Sequence, residues 1–349
     1  MTRRPGFLLL AAVLAGMCGC YSCSMNQLKT TVLPQIPDEA YAKGVSAPFC
    51  GLIGNTLIVG GGANFPEAPL LEGGRKRVYR DIWALGADGW ARIGLLPDST
   101  AYGATFPFGN GLLLAGGNVP GKTTDRVYIL SLDGSISEAP SLPFPVEQAG
   151  AASDGGELFL VGGQGKDGGL RSVLRYSGGG WEEIATLPEP LVQPVAFASG
   201  GRLYVWGGFN PETLLAPSEG LSLDLQTLSW SPAPAIPDGG TFTGSSGAVL
   251  GDGRFAVVGG VNKEIFERAL RNTPEDRIPY LSKEPEQYKF RKVVYVFDPR
   301  KGEWSSKGET PYAALAGPGA AAVGNVLYVS GGELKPGVRS PRSFKTELK

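Results

Sequence analysis

Short apolar runs that end in a glycine pair recur along the chain. They read Leu57-Ile58-Val59-Gly60-Gly61-Gly62, Leu113-Leu114-Ala115-Gly116-Gly117, Leu158-Phe159-Leu160-Val161-Gly162-Gly163, Leu203-Tyr204-Val205-Trp206-Gly207-Gly208, Phe255-Ala256-Val257-Val258-Gly259-Gly260 and Leu327-Tyr328-Val329-Ser330-Gly331-Gly332. Runs this short, bounded by glycine, predict buried strands rather than helices. Asp133-Gly134, Asp154-Gly155-Gly156 and Gly251-Asp252-Gly253 predict the tight turns between strands. A second marker keeps time with the first. Trp90, Trp181, Trp230 and Trp304 are each followed seven residues later by proline: Pro97, Pro188, Pro237 and Pro311.

The second glycines fall at positions 62, 117, 163, 208, 260 and 332, so successive copies lie 55, 46, 45, 52 and 72 residues apart. A period near 50 with a glycine doublet after a strand is the kelch signature, one four-stranded propeller blade per repeat. The Trp-to-Pro tract is then the fourth, outermost strand, with the ring packed between blades and the proline where no ladder donor is needed. Ile136 to Pro143 supplies that strand to the second blade without a tryptophan. The sixth blade has only one strand after Gly332, from Ser343 to Leu348. The segment Thr30 to Pro37 ends in Ile36-Pro37, like the other outer strands, and precedes the first doublet. The expected architecture is all-β: a single six-bladed propeller over residues 21–349, its ring closed by the N-terminal strand completing the last blade.

Two blades carry insertions between their second and third strands, over residues 63–80 and 262–291. The first ends in the basic cluster Arg75-Lys76-Arg77. The second opens with helical spacing from Lys263 to Arg271 (Ile265, Phe266, Ala269, Leu270) and breaks before Pro274. Both are expected on one face of the ring, either as functional loops or as a plug for the channel.

Composition narrows the chemistry. Gly (53) and Pro (28) are nearly a quarter of the 349 residues, but an apolar fraction of 42% in regular runs indicates a turn-rich β fold rather than disorder. A net charge of −1 gives no reason to expect a nucleic-acid partner. The chain contains no histidine. That excludes Ser-His-Asp triads, His-ligated zinc and the histidine-ligated copper of propeller oxidases. Arg3-Arg4 followed by the apolar run Phe7 to Gly16 is expected to be a signal peptide over residues 1–20. Cys20 is the expected lipidation site, which would tether the protein to a membrane. The alternative is ordinary cleavage near Ser22 to Ser24. Either way the protein is expected to be exported, to the periplasm or as an outer-membrane lipoprotein of a bacterium. Cys50 is left without a partner for an internal disulfide and sits in an apolar run.

The first polar residues after the six doublets are Asn64, Asn118, Gln164, Asn210, Asn262 and Glu333. As a ring at the channel mouth, five amides and one carboxylate would suit a polyhydroxylated ligand. As turn formers after strands, they would have no such role. Glu333 is the only charge of the six. Arg339 follows across the Pro336-Gly337 turn, so the two side chains can converge over the channel, as a functional pair or as an ion pair locking the turn.

The segments Val261-Asn262-Lys263-Glu264-Ile265-Phe266, Glu286-Gln287-Tyr288-Lys289-Phe290, Phe297-Asp298-Pro299, Gly308-Glu309 and Gly332-Glu333-Leu334-Lys335-Pro336-Gly337-Val338-Arg339 resemble the sialic acid mutarotases, the N-acetylneuraminate epimerases. Gly61-Gly62-Ala63-Asn64-Phe65 and Ala101-Tyr102-Gly103 resemble segments from the end of that family's chain but stand here near the start, as in its cyclically permuted branch. Two positions depart from the pattern: Leu191-Val192-Gln193 stands where the family has Arg-Asp-Gln, and Thr100 where it has arginine. The resemblance implies an isomerase that interconverts the anomers of N-acetylneuraminate or a related sugar acid, with Glu333 and Arg339 as the catalytic pair and no metal or organic cofactor. Glu333 would move the proton and Arg339 would grip the sugar carboxylate. The alternative is a non-catalytic propeller that binds a glycan or protein at the cell surface. An enclosed mouth would favour the enzyme, and a flat apolar rim the binder.

Overall fold

The computed structural model describes residues 26–349. Cys20 and the expected signal segment lie outside them. Six four-stranded antiparallel sheets form the six-bladed propeller. The first blade is built from Phe49–Ile53, Thr56–Gly60, Asp81–Gly86 and Gly89–Leu95, in that order outward. Blades two to five repeat this order, and the outer strand of the second is Ile136–Ala139. The sixth takes Gly319–Val323, Val326–Ser330 and Ser343–Glu347 from the C-terminal region and Thr30–Val32 from the N-terminal one. Thr30 pairs with Thr346 and Val32 with Phe344. Asn26 and Leu28 add backbone bonds to Glu309 of the fifth blade, so the N-terminal segment ties two blades at once.

The core lies in the seams between blades rather than inside any one sheet, and each of the six seams has its own apolar cluster. Residues before the tract prolines are seam anchors: Leu96, Leu142, Leu187 and Ile236 are all at most 3% exposed. The tryptophans fill the same seams. Trp90 donates its indole N–H to the Pro34 carbonyl at 2.8 Å, and Trp230 donates to Thr186 of the neighbouring blade at 2.8 Å.

The glycine doublet has a specific steric cause. Both residues of every pair have positive φ, a region costly for residues with a Cβ. A Cβ on the first glycine would also meet the backbone of the next blade: 2.1 Å from the Thr100 carbonyl at Gly61, 2.3 Å from the Val45 carbonyl at Gly331. Where the backbones come this close, the second glycine's N–H bonds across the seam, as Gly62 does to Thr100 at 2.9 Å and Gly332 to Val45 at 2.8 Å.

The chain leaves each doublet on one face of the ring, and there the two insertions meet. That of the first blade contains a short hairpin (Ala63–Asn64 with Arg77–Val78) and a single 3-10 turn at Leu70–Glu72. That of the fifth contains α1 (Lys263–Ala269), as the spacing predicts, and α2 (Arg277–Leu281), which the sequence reading did not separate. These blades flank the sixth, and the insertions pack on either side of its Glu333–Lys335 and Val338–Arg339 hairpin. Lys335 donates to the Lys283 carbonyl at 2.8 Å. Tyr288, Phe290, Val261 and Ala316 form a small apolar cluster beneath this cap.

Candidate functional site

A cavity of about 480 Å³ occupies this face over the channel. Its floor is made by one residue from each blade at the start of the innermost strand: Ala47, Tyr102, Gln148, Gln193, Gly244 and Gly317. All six are left-handed, with φ between 51° and 68°. Backbone hydrogen bonds link five of the six neighbouring pairs around the channel. Ala47 donates its backbone N–H to the Gly317 carbonyl at 2.8 Å, Tyr102 to Ala47 at 2.9 Å, Gln148 to Tyr102 at 2.8 Å, Gln193 to Gln148 at 2.9 Å, and Gly317 to Gly244 at 2.7 Å. Four of the six are not glycine, and each pays roughly 1 kcal/mol for that conformation. The left-handed turn aims Tyr102, Gln148 and Gln193 into the cavity, where the Gln193 amide bonds the Gln148 carbonyl oxygen at 2.5 Å.

Glu333 and Arg339 are direct cross-strand partners in the sixth-blade hairpin. Opposite residues in such a pair stand close enough for their side chains to interact, and Arg339 bonds the Glu333 carboxylate. Only Glu333 reaches the cavity. Its side chain is 24% exposed, while that of Arg339 is 3% exposed. Arg339 is held behind it: Nε donates to the Ala63 carbonyl at 3.1 Å, and the guanidinium lies 5.2 Å from the Phe65 ring centre. The Tyr102 hydroxyl sits beside the same guanidinium. The structure does not place Arg339 to grip a sugar carboxylate: its Nε and Nη1 are engaged by the Ala63 carbonyl and Glu333, and the side chain does not line the cavity.

Burial pushes the Glu333 carboxyl above its ordinary value, and the Arg339 charge, the Gly337 N–H and the Lys76 charge only partly oppose this. Burial likewise raises the Tyr102 phenol, with Arg339 pulling the other way. The site therefore holds a carboxyl whose proton affinity is raised and a phenol that stays protonated at neutral pH.

The predicted ring of amides does not form. Asn262 does line the cavity, and it also caps α1 by accepting from the Ile265 N–H at 3.1 Å. Asn64 is 0% exposed. Its amide donates to the Ala40 and Gly44 carbonyls at 2.9 and 2.8 Å and accepts from the Tyr79 hydroxyl at 2.7 Å. Asn210 is 3% exposed, closes a turn through the Glu212 and Thr213 N–H groups, and donates to Glu189 at 2.8 Å. Asn118 lies in a two-residue hairpin strand and Gln164 bonds the adjacent Gly165 carbonyl, and neither reaches the wall. Four of the five amides thus stand away from the cavity: Asn210 closes its own turn, Gln164 bonds its neighbour, and Asn64 is buried against the segment that precedes the first blade.

The residues that do form the wall were missed: Tyr102, Glu147, Gln148 and Gln193 below, Lys76 at the side, and Ile265, Phe266, Tyr280 and Tyr288 above. Their only sequence signal is weak: a proline or small residue follows each floor position, as in Ala47-Pro48, Tyr102-Gly103, Gln148-Ala149, Gln193-Pro194 and Gly317-Pro318. Among the described residues no group of three or more Cys, Asp or Glu is placed to hold a metal ion. Nor is any helix among them long and apolar enough to cross a membrane.

Comparison with known proteins agrees with this geometry. A family model described as N-acetylneuraminate epimerase matches residues 16–138 and 139–349. N-acetylneuraminate epimerases of Brucella suis and Vibrio vulnificus are 33% and 32% identical over 121 and 114 residues, covering 31% and 30% of this chain and the same shares of theirs. That of Salmonella enteritidis is 30% identical over 120 residues, 32% of this chain and 31% of its own. These alignments span about a third of the curated relatives' length, whereas the family model spans nearly the whole chain, and on that match the chain belongs to the N-acetylneuraminate epimerase family.

Proposed function

We propose that this protein is an isomerase that interconverts the α and β anomers of N-acetylneuraminate or a related sugar acid. The observation that carries the reading is the Glu333 carboxyl, raised in proton affinity by burial and backed by Arg339, facing a cavity of about 480 Å³ over the channel. Mutarotation opens and recloses a cyclic hemiketal. The anomeric hydroxyl loses its proton as the bond to the ring oxygen breaks, and the ring oxygen gains one. Rotation about the exposed carbonyl and reclosure reverse both transfers. Glu333 takes the anomeric proton, a task that favours a carboxyl with a pKa moved toward neutrality. Tyr102, kept protonated by burial and close to the same pair, is the donor to the ring oxygen. Arg339 touches no substrate and sets the position and proton affinity of Glu333. The uncatalysed reaction is not difficult, so two groups held in register suffice.

The aromatic cap of Phe266, Tyr280 and Tyr288 and the amides Gln148, Gln193 and Asn262 suit a sugar with apolar faces and many hydroxyls. Partial cover of the cavity by Phe266, Tyr280 and Tyr288 of the fifth-blade insertion supports an enzyme over a propeller that only captures a glycan or protein partner. The rotated blade order belongs to the same proposal and rests on Gly61-Gly62-Ala63-Asn64-Phe65 and Ala101-Tyr102-Gly103 standing near the start of the chain. Export, with Cys20 as the anchoring residue, belongs to the same proposal and rests on the N-terminal sequence alone.

The test is proton NMR of freshly dissolved α-N-acetylneuraminate with purified protein. Faster anomer exchange than in buffer is expected. A folded protein that binds the sugar without accelerating exchange would leave the binding module as the function.

A further inference from the structure

An anionic sugar needs a cation in its pocket, and Arg339 is not available to be one. Its guanidinium is 3% exposed and engaged with Glu333 and the Ala63 carbonyl. The wall already carries two carboxylates, Glu333 and Glu147, and one carboxylate oxygen of Glu147 is buried without a hydrogen-bond partner. A second anion would meet repulsion there unless a positive charge faced it. Among the described residues lining the cavity, Lys76 is the only lysine or arginine.

Lys76 comes from the first-blade insertion, whose basic cluster the proposed chemistry does not otherwise use. Its ammonium lies 4.9 Å from the centre of the Tyr102 ring. That contact holds a flexible side chain over the floor residue nearest the Glu333–Arg339 pair. It makes no ion pair within the described residues, unlike Lys263, which is bound to Glu267. Its neighbours do not compete: Arg77 stacks on Tyr79 at 5.6 Å and neither Arg75 nor Arg77 lines the cavity. Lys76 is thus an unpaired, accessible cation in a cavity whose other charges are negative.

We infer that Lys76 is the substrate-carboxylate anchor of this pocket, the residue that selects sugar acids over neutral sugars and sets the anomeric carbon against Glu333. The inference rests on the proposed sugar-acid chemistry and specifies how this chain recognises that substrate. It assigns the anchoring role to an insertion on the first blade and leaves Arg339 a positioning role.

The experiment compares wild type, Lys76→Met and Lys76→Arg on N-acetylneuraminate and on its uncharged methyl ester, with affinity by NMR titration and anomer exchange by NMR. Lys76 is exposed on a loop, and circular dichroism verifies that each variant folds. Loss of one charge-assisted contact is expected to weaken acid binding about 10- to 100-fold in Lys76→Met. The ester affinity should stay as in wild type, and Lys76→Arg should recover most of the acid affinity. Equal affinity for the acid in wild type and Lys76→Met overturns the inference, as does parallel loss of acid and ester. If wild type accelerates no exchange, the mutarotase reading fails by itself. The titration still decides: Lys76-dependent binding of the acid upholds the anchor, and absence of binding in wild type overturns it.

Discussion

The Arg339 guanidinium bonds the Glu333 carboxylate from the protein side, and only Glu333 faces the cavity. The pair is asymmetric: one partner is locked, the other addresses the ligand. Exposed ion pairs contribute little to stability. In this one the cation is buried, so its value lies in placing a carboxyl whose environment disfavours ionisation.

Glu333→Gln should lower the maximal rate of anomer exchange by about 10²- to 10⁴-fold, the range of a lost general base. The amide keeps an oxygen for Arg339, so the fold and the affinity for the sugar should survive. The NMR exchange assay and titration measure the two separately. Loss of both in equal measure would point to a structural ion pair.

The pH dependence of stability should carry the signature of Glu333. Its folded pKa is raised above the ordinary 4.5, so protonation favours the folded state. This contribution is fully present below 4.5 and is lost as pH rises through the folded pKa. Thermal melts of wild type and Glu333→Gln across this range should show the wild type falling relative to the variant as pH increases. A gap that widens the other way would contradict the raised value.

Tyr102→Phe keeps the ring under Lys76 and removes the proposed proton donor. Exchange should slow by about 10²-fold or more if the phenol protonates the ring oxygen, with stability and sugar affinity nearly unchanged. An unaltered rate would assign that proton to water.

Asn64→Ala should destabilise the protein by about 2–3 kcal/mol, because it strands the Tyr79 hydroxyl and two carbonyls in a buried position. Molecules that remain folded should bind sugar as wild type does. Denaturant melts and titration separate the two effects, and a selective loss of affinity would return Asn64 to the site.

Removing residues 26–37 should leave an open edge on Ser343–Glu347. It also takes Leu33 and Ile36 from the seam between the last and first blades and the Pro34 carbonyl from Trp90. A large drop in melting temperature is expected. A variant as stable as wild type would mean that the closing strand is dispensable.

The blades were legible because their constraints act on residue type. Gly61 and Gly331 need both positive φ and no Cβ, so glycine is forced in every repeat. Leu96 and Leu187 must fill a seam of fixed width, so an apolar residue recurs before the proline. Glu333 and Arg339 stood out for the same kind of reason, being joined across a short turn. The cavity floor had no such constraint. Ala47, Tyr102, Gln148 and Gly317 share a backbone conformation and a backbone bond but no side-chain type, so no pattern of residues announces them. Asn64 misled because an amide facing a ligand and an amide buried against the Ala40 and Gly44 carbonyls are written alike in sequence.

The arc of backbone bonds that runs from Gln193 through Gln148, Tyr102, Ala47 and Gly317 to Gly244 is at once the hub that fastens the blades and the surface on which a ligand rests. Tyr102, Gln148 and Gln193 offer their side chains to the ligand from links of this arc. Remodelling specificity at Tyr102, Gln148 or Gln193 therefore works on the clasp that keeps neighbouring blades in register. The palette at these positions is restricted to residues that tolerate the left-handed bend, so a new ligand preference is reached more freely from the two overhanging insertions, where no blade depends on the outcome.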